Sequence, residues 1–518
     1  MARQAGAVVG MLFLAHAAVA QVQFIQQGNK LVGTDASWYA GQGTSVAISA
    51  NGNTAIVGGP DYNCYHCFGV GAAWVFTRNG GVWTQQGSKL VANDSVRESD
   101  QGTSVAISAD GNTAIVGGPH DQTIYIGFGA YTGLGAAWAF TLTGGVWTQQ
   151  GIKLVGNDSV GVPSWGASAT ISADGNTTIV GGPGDNSFAG AAWVFVRSSD
   201  GWTQQGGKLV GADGSWYAGQ GTSVAISTDG NTAVVGGSSD NSGAGAVWVF
   251  TRSGGVWAQQ GGKLVGTGAI GPAEQGNSVA ISADGNTAIV GGYQDNSGAG
   301  AVWLFTRSGG VWTQQGSKLV GVGAVGPAWQ GNSVAISADG NAAIVGAPLD
   351  NSNAGAVWVY TRNNGAWSQQ GGKLVGTGAV GPARQGKSVA ISGDSTTVIV
   401  GGDGDAGGIG AVWVFAANGC DAPSITGQPQ SQIVQGGQTA TLSVTATATM
   451  PLSYRWYRGN AGDTSTPVGA NASTFTTPPL ESTTSYWVWV FNACGTTDSA
   501  TATISVEPRV RRHLQRAM

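Results

Sequence analysis

The sequence predicts an all-β protein in which seven four-stranded blades form a β-propeller and a smaller β-sandwich follows. Three observations carry this prediction. The segment SVAISADGNTAIVGG at 278–292 recurs as near-copies that begin at Ser45, Ser104, Ser168, Ser223, Ser333 and Ser388. Gln-Gln-Gly precedes each copy, Trp-Val-Phe or a close variant follows it, and the last four steps between units are 55 residues each. The period stops at Cys420, where Ser, Thr and Pro become more frequent.

The composition agrees with a folded, turn-rich β protein. Only 9% of the 518 residues are charged, whereas 42% are apolar, and the chain contains 90 glycines and 20 tryptophans. A disordered low-complexity chain would lack these aromatic residues. The net charge of −5 argues against a nucleic-acid surface, which needs clustered Lys and Arg. We therefore expect no nucleic-acid partner.

The N-terminus has the pattern of a secretory signal peptide. Residues 1–20, MARQAGAVVGMLFLAHAAVA, combine a basic start, an apolar stretch and a small-residue cleavage pattern before Gln21. No later segment approaches the ~20 apolar residues of a membrane helix. The sequence predicts a secreted or cell-surface protein without a membrane span, whose four cysteines meet an oxidising compartment. We expect a monomer.

Each repeat predicts four antiparallel strands. SVAIS leads through an Asp-Gly turn into TAIVGG, a strong hairpin signal, and GAVWVFTR then leads through Ser-Gly-Gly into VWTQQGSKLVG. Seven such units at this period favour a propeller. The innermost strand carries small residues, while thirteen repeated tryptophans lie in the third and fourth strands, where blades splay apart and must be filled. We interpret these tryptophans as packing residues.

The two ends of the repeat region complement each other. VQFIQQGNKL at 22–31 is a fourth strand that precedes any first strand, and the last unit ends at AVWVFAANG without a fourth. We expect the two segments to complete one blade, so that the N-terminal strand closes a propeller over residues 21–418.

The repeat G-x-SVAIS-x-DGN-x-AIVG, followed by GAVWVF, resembles the FG-GAP repeat family, which includes the integrin α-chain propeller. The resemblance covers residues 22–418 and implies the same ring. The family's Phe-Gly is Gln-Gly here, as at Gln42-Gly43. Many members bind calcium in a loop of spaced Asp and Asn between the first two strands. This sequence has only a short turn there, which offers too few of the six to eight oxygens that calcium takes, so we expect no cofactor.

The segment 419–508 predicts the sandwich. PLSYRWYRG and STTSYWVWVFNACG are typical of strands, with Trp456 a candidate core residue and Tyr486 a candidate for a corner hydrogen bond. The segment resembles the Ig-like modules of bacterial exported proteins, and this resemblance implies a disulfide between Cys420 and Cys494. The basic stretch 509–518 is interpreted as a frayed tail.

The differences between repeats predict the binding face. Length varies only in the loop between strands two and three, and the connection from strand four to the next strand one varies in chemistry. Both emerge on one face of a propeller, and binding residues concentrate on such loops. The candidate ligand-binding residues are Trp38, Tyr39, Tyr65, His66, Phe68, Tyr125, Phe128, Tyr131, Trp165, Trp216, Tyr217 and Trp329.

Two interpretations of these aromatic residues stay open. The aromatic residues either bind a ligand or cap the blade ends, since single surface aromatics are common.

Cys64 and Cys67 predict a local disulfide in the enlarged loop of unit one. The alternative is a zinc site in which His66 and His120 take part.

Charged residues that recur in every unit are interpreted as structural. An Asp stands in every variable loop, with Asn and Ser usually after it, a composition suited to capping turns. A Lys stands two positions after every Gln-Gln-Gly segment. Both are predicted to be blade features.

These features favour a non-enzymatic recognition or adhesion protein that binds a glycan or an extracellular protein. The mature chain is poor in Glu and His and has no catalytic motif such as GxSxG or HExxH. The alternatives are an architectural component of a cell surface or matrix and, with less support, a propeller enzyme that acts on polysaccharide.

Overall fold

A computed structural model describes residues 23–61, 69–96, 98–127, 130–199, 201–363, 365–418, 423–448, 452–492 and 495–508. The predicted signal peptide, the four cysteines and the basic tail lie outside these residues. The described chain folds into seven four-stranded antiparallel sheets followed by an Ig-like sandwich, as the sequence predicts. We call the sheets blades 1–7 and their strands a to d, from the ring axis outward.

Strand a is the innermost strand of each blade and contacts strand a of the next blade. Its small side chains allow seven strands to converge, and its bounds are Ser45–Ile48, Ser104–Ile107, Ser168–Ile171, Ser223–Ile226, Ser278–Ile281, Ser333–Ile336 and Ser388–Ile391. Strand b is buried almost throughout and spans Thr54–Gly59, Thr113–Gly118, Thr177–Gly182, Thr232–Gly237, Thr287–Gly292, Ala342–Ala347 and Thr397–Gly402.

The double glycine that ends most copies of strand b is a packing requirement. A Cβ on Gly58 would lie 2.2 Å from the carbonyl oxygen of Gly102, which belongs to the next blade. The equivalent glycines of the other blades meet the same obstacle. Only a residue without a side chain allows the blades to approach so closely near the axis.

Strand c carries the tryptophan that fills the space between blades. Each of Trp74, Trp138, Trp193, Trp248, Trp303, Trp358 and Trp413 is almost fully buried. Strand c spans Ala72–Asn79, Ala136–Thr143, Ala191–Ser198, Ala246–Ser253, Ala301–Ser308, Ala356–Asn363 and Ala411–Asn418. Strand d, the outer edge, spans Val82–Gln85, Val146–Gln149, Gly201–Gln204, Val256–Gln259, Val311–Gln314, Ala366–Gln369 and, in blade 7, Gln23–Gln26.

The last of these strands closes the ring. Gln23–Gln26 pairs antiparallel with Ala411–Asn418, so the first described strand of the chain completes the last blade. The predicted closure by the N-terminal segment is confirmed. Because every blade then has four strands, strand c of blade 7 is not left as an open edge.

Most b–c loops are single turns with left-handed backbone. In blades 3–7 they span Asp185–Phe188, Asp240–Gly243, Asp295–Gly298, Asp350–Asn353 and Asp405–Gly408. The second and third residues of each have positive φ, for example +51° at Asn296 and +58° at Ser297. Asn, Ser and Gly fill nine of these ten places, Ala406 being the exception, because short polar residues and glycine tolerate this conformation. In blade 2 the loop is longer and forms a hairpin of strands Thr123–Gly127 and Ala130–Gly133.

The described residues of the Ig-like domain form ten strands. They span Ser424–Gly427, Gln432–Gln435, Thr441–Ser443, Thr445–Thr447, Ser453–Arg458, Pro467–Val468, Thr474–Thr476, Thr484–Asn492, Gly495–Asp498 and Ala502–Glu507. Trp456 is fully buried, packs on Phe475 and donates its indole N–H to the Ala472 carbonyl at 2.9 Å. The prediction of Trp456 as a core residue is confirmed, and Tyr486 is buried in the same cluster.

Candidate functional site

The b–c loops and the d–a connections meet on one face of the ring, which we call the loop face. In blade 5 the buried Asp295 carboxylate accepts the backbone N–H of Ile270, in the incoming connection, at 2.7 Å. The other oxygen of the same carboxylate pairs with Lys318, just after strand d. A single Asp therefore ties the b–c loop to both neighbouring connections and fixes the positions of the loop residues.

This ion pair recurs in blades 2–7 of the described chain. The Lys and Asp atoms lie 2.5 to 2.6 Å apart in four of the pairs. The six pairs are Lys153–Asp121, Lys208–Asp185, Lys263–Asp240, Lys318–Asp295, Lys373–Asp350 and Lys30–Asp405. The recurrent Asp and Lys residues are thus scaffold of the loop face, as interpreted from the sequence.

Two Trp-Tyr pairs project from this scaffold, and we call them the twin tips: Trp38-Tyr39 and Trp216-Tyr217. Trp38 is 82% exposed and Trp216 is 86% exposed, and both tyrosines are at least half exposed. Each tip stands on a turn closed by a bond from the Ala40 or Ala218 N–H to the Ser37 or Ser215 carbonyl, both at 3.2 Å. The tips are therefore held outward by ordered backbone rather than by packing of their own rings.

The twin tips lie far apart around the ring. One belongs to the connection into blade 1 and the other to the connection into blade 4, so three blades separate them in one direction and four in the other. The sequence SWYAGQG is identical in both. The ring therefore presents two copies of one surface on nearly opposite sides of the loop face.

Trp165 corrects the prediction of an exposed aromatic in unit three. Only 6% of its surface is exposed, and its ring packs edge-on against Trp193 with centroids 5.6 Å apart. Trp165 stands where the other units have the Gln of Gln-Gly. It fills a position inside the blade and presents no free face to a ligand.

The Gln at this position fastens the d–a connection in five blades. The Gln275 side-chain oxygen accepts the Gly266 N–H at 2.6 Å, and its amide nitrogen donates to the Gly266 carbonyl at 3.0 Å. Gln42, Gln220, Gln330 and Gln385 bind Gly33, Gly211, Gly321 and Gly376 in the same way. The buried amide fastens the d–a connection to its blade because it satisfies both backbone groups of one residue.

The residue before this Gln occupies the inner rim of the loop face and adopts positive φ in all seven blades. We call these the inner-rim residues: Gly41, Asp100, Ser164, Gly219, Glu274, Trp329 and Arg384, with φ from 52° to 63°. For a residue other than Gly this conformation costs about 1–2 kcal/mol. Two blades use Gly here, so the fold itself needs no side chain at this position.

In blades 5 and 7 the inner-rim residue binds the first residue after strand b. Glu274 lies beside the hydroxyl of Tyr293, and partial burial together with this carboxylate raises the pKa of Tyr293. Arg384 donates to Asp403 at 2.9 Å. Most other blades have Pro at the position of Tyr293 and Asp403. In these two blades the inner-rim residue therefore has a second polar side chain beside it, which the blades with Pro lack.

Trp329 lies between these two pairs. Its ring centroid is 4.9 Å from that of Tyr293, and its N–H on the backbone donates to the Gly298 carbonyl at 2.9 Å. The indole is half-buried and covers the b–c loop of blade 5. Of the sequence-predicted residues, Trp329 is the one that this inner-rim cluster includes.

Asp403 is buried and incompletely bonded. Its Oδ2 accepts from Arg384, while Oδ1 has no hydrogen-bond partner among the described residues. Burial raises the pKa of Asp403, and the charges of Arg384 and Lys387 oppose that rise only in part. Lys387 also lies on the inner rim, at a position that carries Thr, Ala or Asn in the other units.

A second carboxylate on the inner rim has similar surroundings. Asp100 is buried, its Oδ2 lies 2.8 Å from His120 Nδ1, and Oδ1 has no hydrogen-bond partner within the described ranges. Burial raises the pKa of Asp100, although the bond to His120 opposes it. The pair lies at the start of blade 2, beside the enlarged loops of units one and two.

The remaining sequence-predicted residues fall in those enlarged loops. Tyr65, His66, Phe68 and Phe128 lie outside the described residues, as do Cys64 and Cys67. Tyr125 and Tyr131 are register partners in the hairpin of blade 2, and their side chains are outside the description. No group of three or more His, Cys, Asp or Glu positioned for a metal occurs in the described part of the chain. Nor does any described helix have the length and hydropathy to cross a membrane.

Glu274, Tyr293, Arg384 and Asp403 were not predicted as site residues from the sequence. The sequence signal for Glu274 and Arg384 lies in Gly41 and Gly219, which occupy the same repeat position. A position that is Gly in some units and Glu, Trp or Arg in others indicates positive φ. The residue after Gly-Gly is usually Pro, but it is Tyr293 in unit five and Asp403 in unit seven. Comparing the units at this position would therefore have indicated the second member of each pair.

Comparison with known proteins identifies the C-terminal domain. Residues 421–508 match the family model described as "Ig-like domain CHU_C associated". The C-terminal domain is Ig-like. No curated protein sequence matches this chain. A solved structure of a chimeric titin Z1Z2 is 22% identical over 17% of this chain and 98% of its own, with a TM-score of 0.15.

Two solved structures overlap most of the chain at low similarity. Hydrazine synthase of Kuenenia stuttgartiensis is 13% identical and covers 73% of this chain and 96% of its own, with a TM-score of 0.42. The periplasmic gluconolactonase PpgL of Pseudomonas aeruginosa is 16% identical and covers 70% of this chain and 99% of its own, with the same TM-score. Neither similarity carries an argument about function.

Proposed function

We propose that this is an exported, non-enzymatic recognition protein that binds carbohydrate on the loop face through the twin tips. The observation that carries the proposal is that two identical Trp-Tyr pairs stand more than 80% exposed at their tryptophans, on turns fixed by a rigid ring. A folded protein rarely leaves a tryptophan so exposed without a partner, because burial of the indole is strongly favourable. We also propose that the ring belongs to the FG-GAP repeat family, with Gln in place of Phe.

The chemistry of the tips suits a sugar ring. An indole face packs on the apolar C–H face of a pyranose, and the neighbouring Tyr hydroxyl bonds the ring's hydroxyl groups. Few charged residues surround the tips, so a neutral saccharide meets no desolvated charge. Two equivalent tips on one rigid ring favour a repetitive glycan or a glycan-covered surface, since the second contact then becomes intramolecular.

A glycan array tests the proposal with the full chain and three variants. Trp38→Ala and Trp216→Ala each remove one tip, and the double variant removes both. We expect the double variant to lose binding to the glycans that the parent protein recognises. Each single variant should keep the site affinity for a monovalent sugar but lose about 10²–10⁴-fold in avidity for a multivalent surface.

The matched control is Ile152→Ala, an exposed apolar residue outside the tips at 80% exposure. It should leave the array pattern unchanged. Binding retained by the double tip variant contradicts the proposal. If no glycan binds but an extracellular protein is captured through the same tryptophans, the adhesion function replaces carbohydrate recognition. If neither ligand is found, an architectural role remains.

A further inference from the structure

We propose that the inner rim of blades 5–7 is a second binding site, distinct from the twin tips, for a saccharide that carries a carboxylate. The site is built from Glu274, Trp329 and Arg384, with Tyr293 and Lys387 beside them. It is inferred from other residues than those of the tips, so it stands or fails independently of the proposed function.

The backbone conformation is the first argument. Glu274, Trp329 and Arg384 occupy equivalent positions with φ of 54°, 61° and 56°. Gly41 and Gly219 occupy the same position in the blades that carry the twin tips, so Gly is compatible with the fold there. Strained residues persist where the side chain itself is useful, and three successive blades present Glu, Trp and Arg in this way.

The second argument is that the three positions are contiguous. The Ser278 hydroxyl bonds the Gly331 carbonyl at 2.8 Å, two residues after Trp329. The Ser333 hydroxyl bonds the Gly386 carbonyl at 2.9 Å, two residues after Arg384. The inner-rim residues of blades 5, 6 and 7 therefore follow one another around the axis, joined at each step by a direct hydrogen bond between blades.

The third argument is the distribution of charge and aromatic surface. Arg384 and Lys387 place two cations on the rim of blade 7, and the Arg384 side chain is 44% exposed although it binds Asp403. Asp403 is buried and serves as a positioning residue for the guanidinium. The exposed side of this pair is therefore cationic and suits a carboxylate, which Arg binds through charge-assisted hydrogen bonds.

Trp329 and Glu274 complete the recognition of a sugar acid. The Trp329 ring, supported from one side by Tyr293 at 4.9 Å, offers a platform for the pyranose ring on the blade next to Arg384. Glu274, which lies beside the Tyr293 hydroxyl, adds carboxylate oxygens that accept hydroxyl protons of a neighbouring residue of the saccharide. Successive blades thus recognise the carboxylate, the pyranose ring and the hydroxyl groups of the saccharide.

Calorimetric titration of the whole chain tests this site with defined probes. The acidic probes are an oligogalacturonate and a sialic-acid trisaccharide, and the neutral control is the methyl ester of the oligogalacturonate. We expect saturable binding of at least one acidic probe, weakened by added salt, and about tenfold or weaker binding of the ester, because the ester cannot form the charge-assisted bond. Which of the two acids binds distinguishes a uronate from a sialic-acid ligand.

Variants separate this site from the twin tips. Arg384→Gln with Lys387→Gln, and separately Trp329→Ala, should weaken the acidic probe at least about tenfold, the loss expected for one charge-assisted bond. The double variant Trp38→Ala with Trp216→Ala should leave it unchanged. Arg362→Gln, which alters an Arg stacked on Trp367 at the outer strand, is the matched charge control and should also leave it unchanged.

A glycine series distinguishes recognition from a structural role. Glu274→Gly restores the residue that blades 1 and 4 use, and Arg384→Gly does so when combined with Asp403→Ser, the residue of unit four, so that no buried carboxylate loses its cation. The melting temperature of these variants should stay the same or rise while acidic-probe binding falls. A drop of several degrees with binding intact assigns these residues to stability and overturns the proposal. It is equally overturned if the parent protein binds neither acid at millimolar concentration, or binds one with no dependence on Arg384, Lys387 and Trp329.

Discussion

The Ser388 hydroxyl donates a hydrogen bond of 2.8 Å to the carbonyl oxygen of Gly43, although 345 residues separate the two. The same bond joins every other pair of neighbouring blades, from Ser45, Ser104, Ser168, Ser223, Ser278 and Ser333. The seven innermost strands are therefore linked in a complete circle. The junction at which the chain ends meet is bonded like the other six.

Deletion of residues 21–33 is expected to lower the melting temperature sharply. It removes strand Gln23–Gln26 from its partner Ala411–Asn418 and exposes the edge of a strand that carries buried Trp413. Calorimetric scanning measures the change. Because all junctions are equivalent, Ser388→Ala and Ser278→Ala should cost the same, about 0.5–1.5 kcal/mol each. An unchanged melt after the deletion, or a negligible cost at Ser388 alone, would mean that the ring is not closed in solution.

Lys318→Met is expected to destabilise the ring by about 3–5 kcal/mol, because Asp295 is then a buried carboxylate without its cation. The double variant with Asp295→Asn should recover part of this loss, and denaturant unfolding measures both. Lys89→Met is the matched control, since the bond of the Lys89 ammonium within the described residues is to the Asp35 carbonyl at an exposed site. Equal costs for Lys89 and Lys318 would contradict the role given to the buried pairs.

The ring could be predicted from the sequence because its determinants are local and repeated seven times. Small residues in strand a and Trp in strand c appear in every unit, and Gly-Gly ends strand b in every unit but the sixth, which has Gly346-Ala347. The orphan strand at 22–31 followed from counting alone. The twin tips were also predictable, since Trp38 and Trp216 break the repeat pattern at matching positions.

Which aromatic residues of the loop face are buried could not be predicted from the repeats in this way. Trp165 and Trp329 are both aromatic residues of the d–a connection at positions where the other units have none. Their repeat positions differ by one residue, and this difference places them in different environments. Trp165 replaces the Gln whose side chain points into the blade, whereas Trp329 takes the preceding position on the inner rim. The pairs Glu274–Tyr293 and Arg384–Asp403 depend on contacts between loops 19 residues apart, which no pattern in a single unit reveals.

Trp248→Ala is expected to cost about 3–5 kcal/mol, because the fully buried ring fills the space between two blades and its indole N–H binds Asp213 at 2.7 Å. Trp216→Ala should change the free energy of unfolding by less than about 0.5 kcal/mol, since that ring is exposed. Urea unfolding of the two variants gives the comparison. A large cost at Trp216 would show that the tip supports the fold and weaken its assignment to ligand binding.

Four a–b turns on the face opposite the loops should make the ring sensitive to acid. Partial burial raises the pKa of Asp229, but bonds from the Ser227 hydroxyl and from the backbone and amide of Asn231 outweigh it, so the pKa is lowered. Asp110, Asp174 and Asp284 behave alike.

Because the folded pKa of these carboxyl groups lies below the unfolded value of about 3.9, their ionised form stabilises the fold above that pH, and this contribution disappears as the pH falls through the folded pKa. Unit one already uses Asn51, whose side-chain oxygen accepts from Ser49 at 2.7 Å and from the Asn53 N–H at 3.0 Å. Replacing all four Asp with Asn should therefore keep the turns but lower the melting temperature at pH 7. Calorimetry from pH 7 to 2 should show this difference shrinking as the pH falls below about 4 and through the folded pKa; a difference independent of pH would mean that the carboxylate charge contributes nothing to the turns.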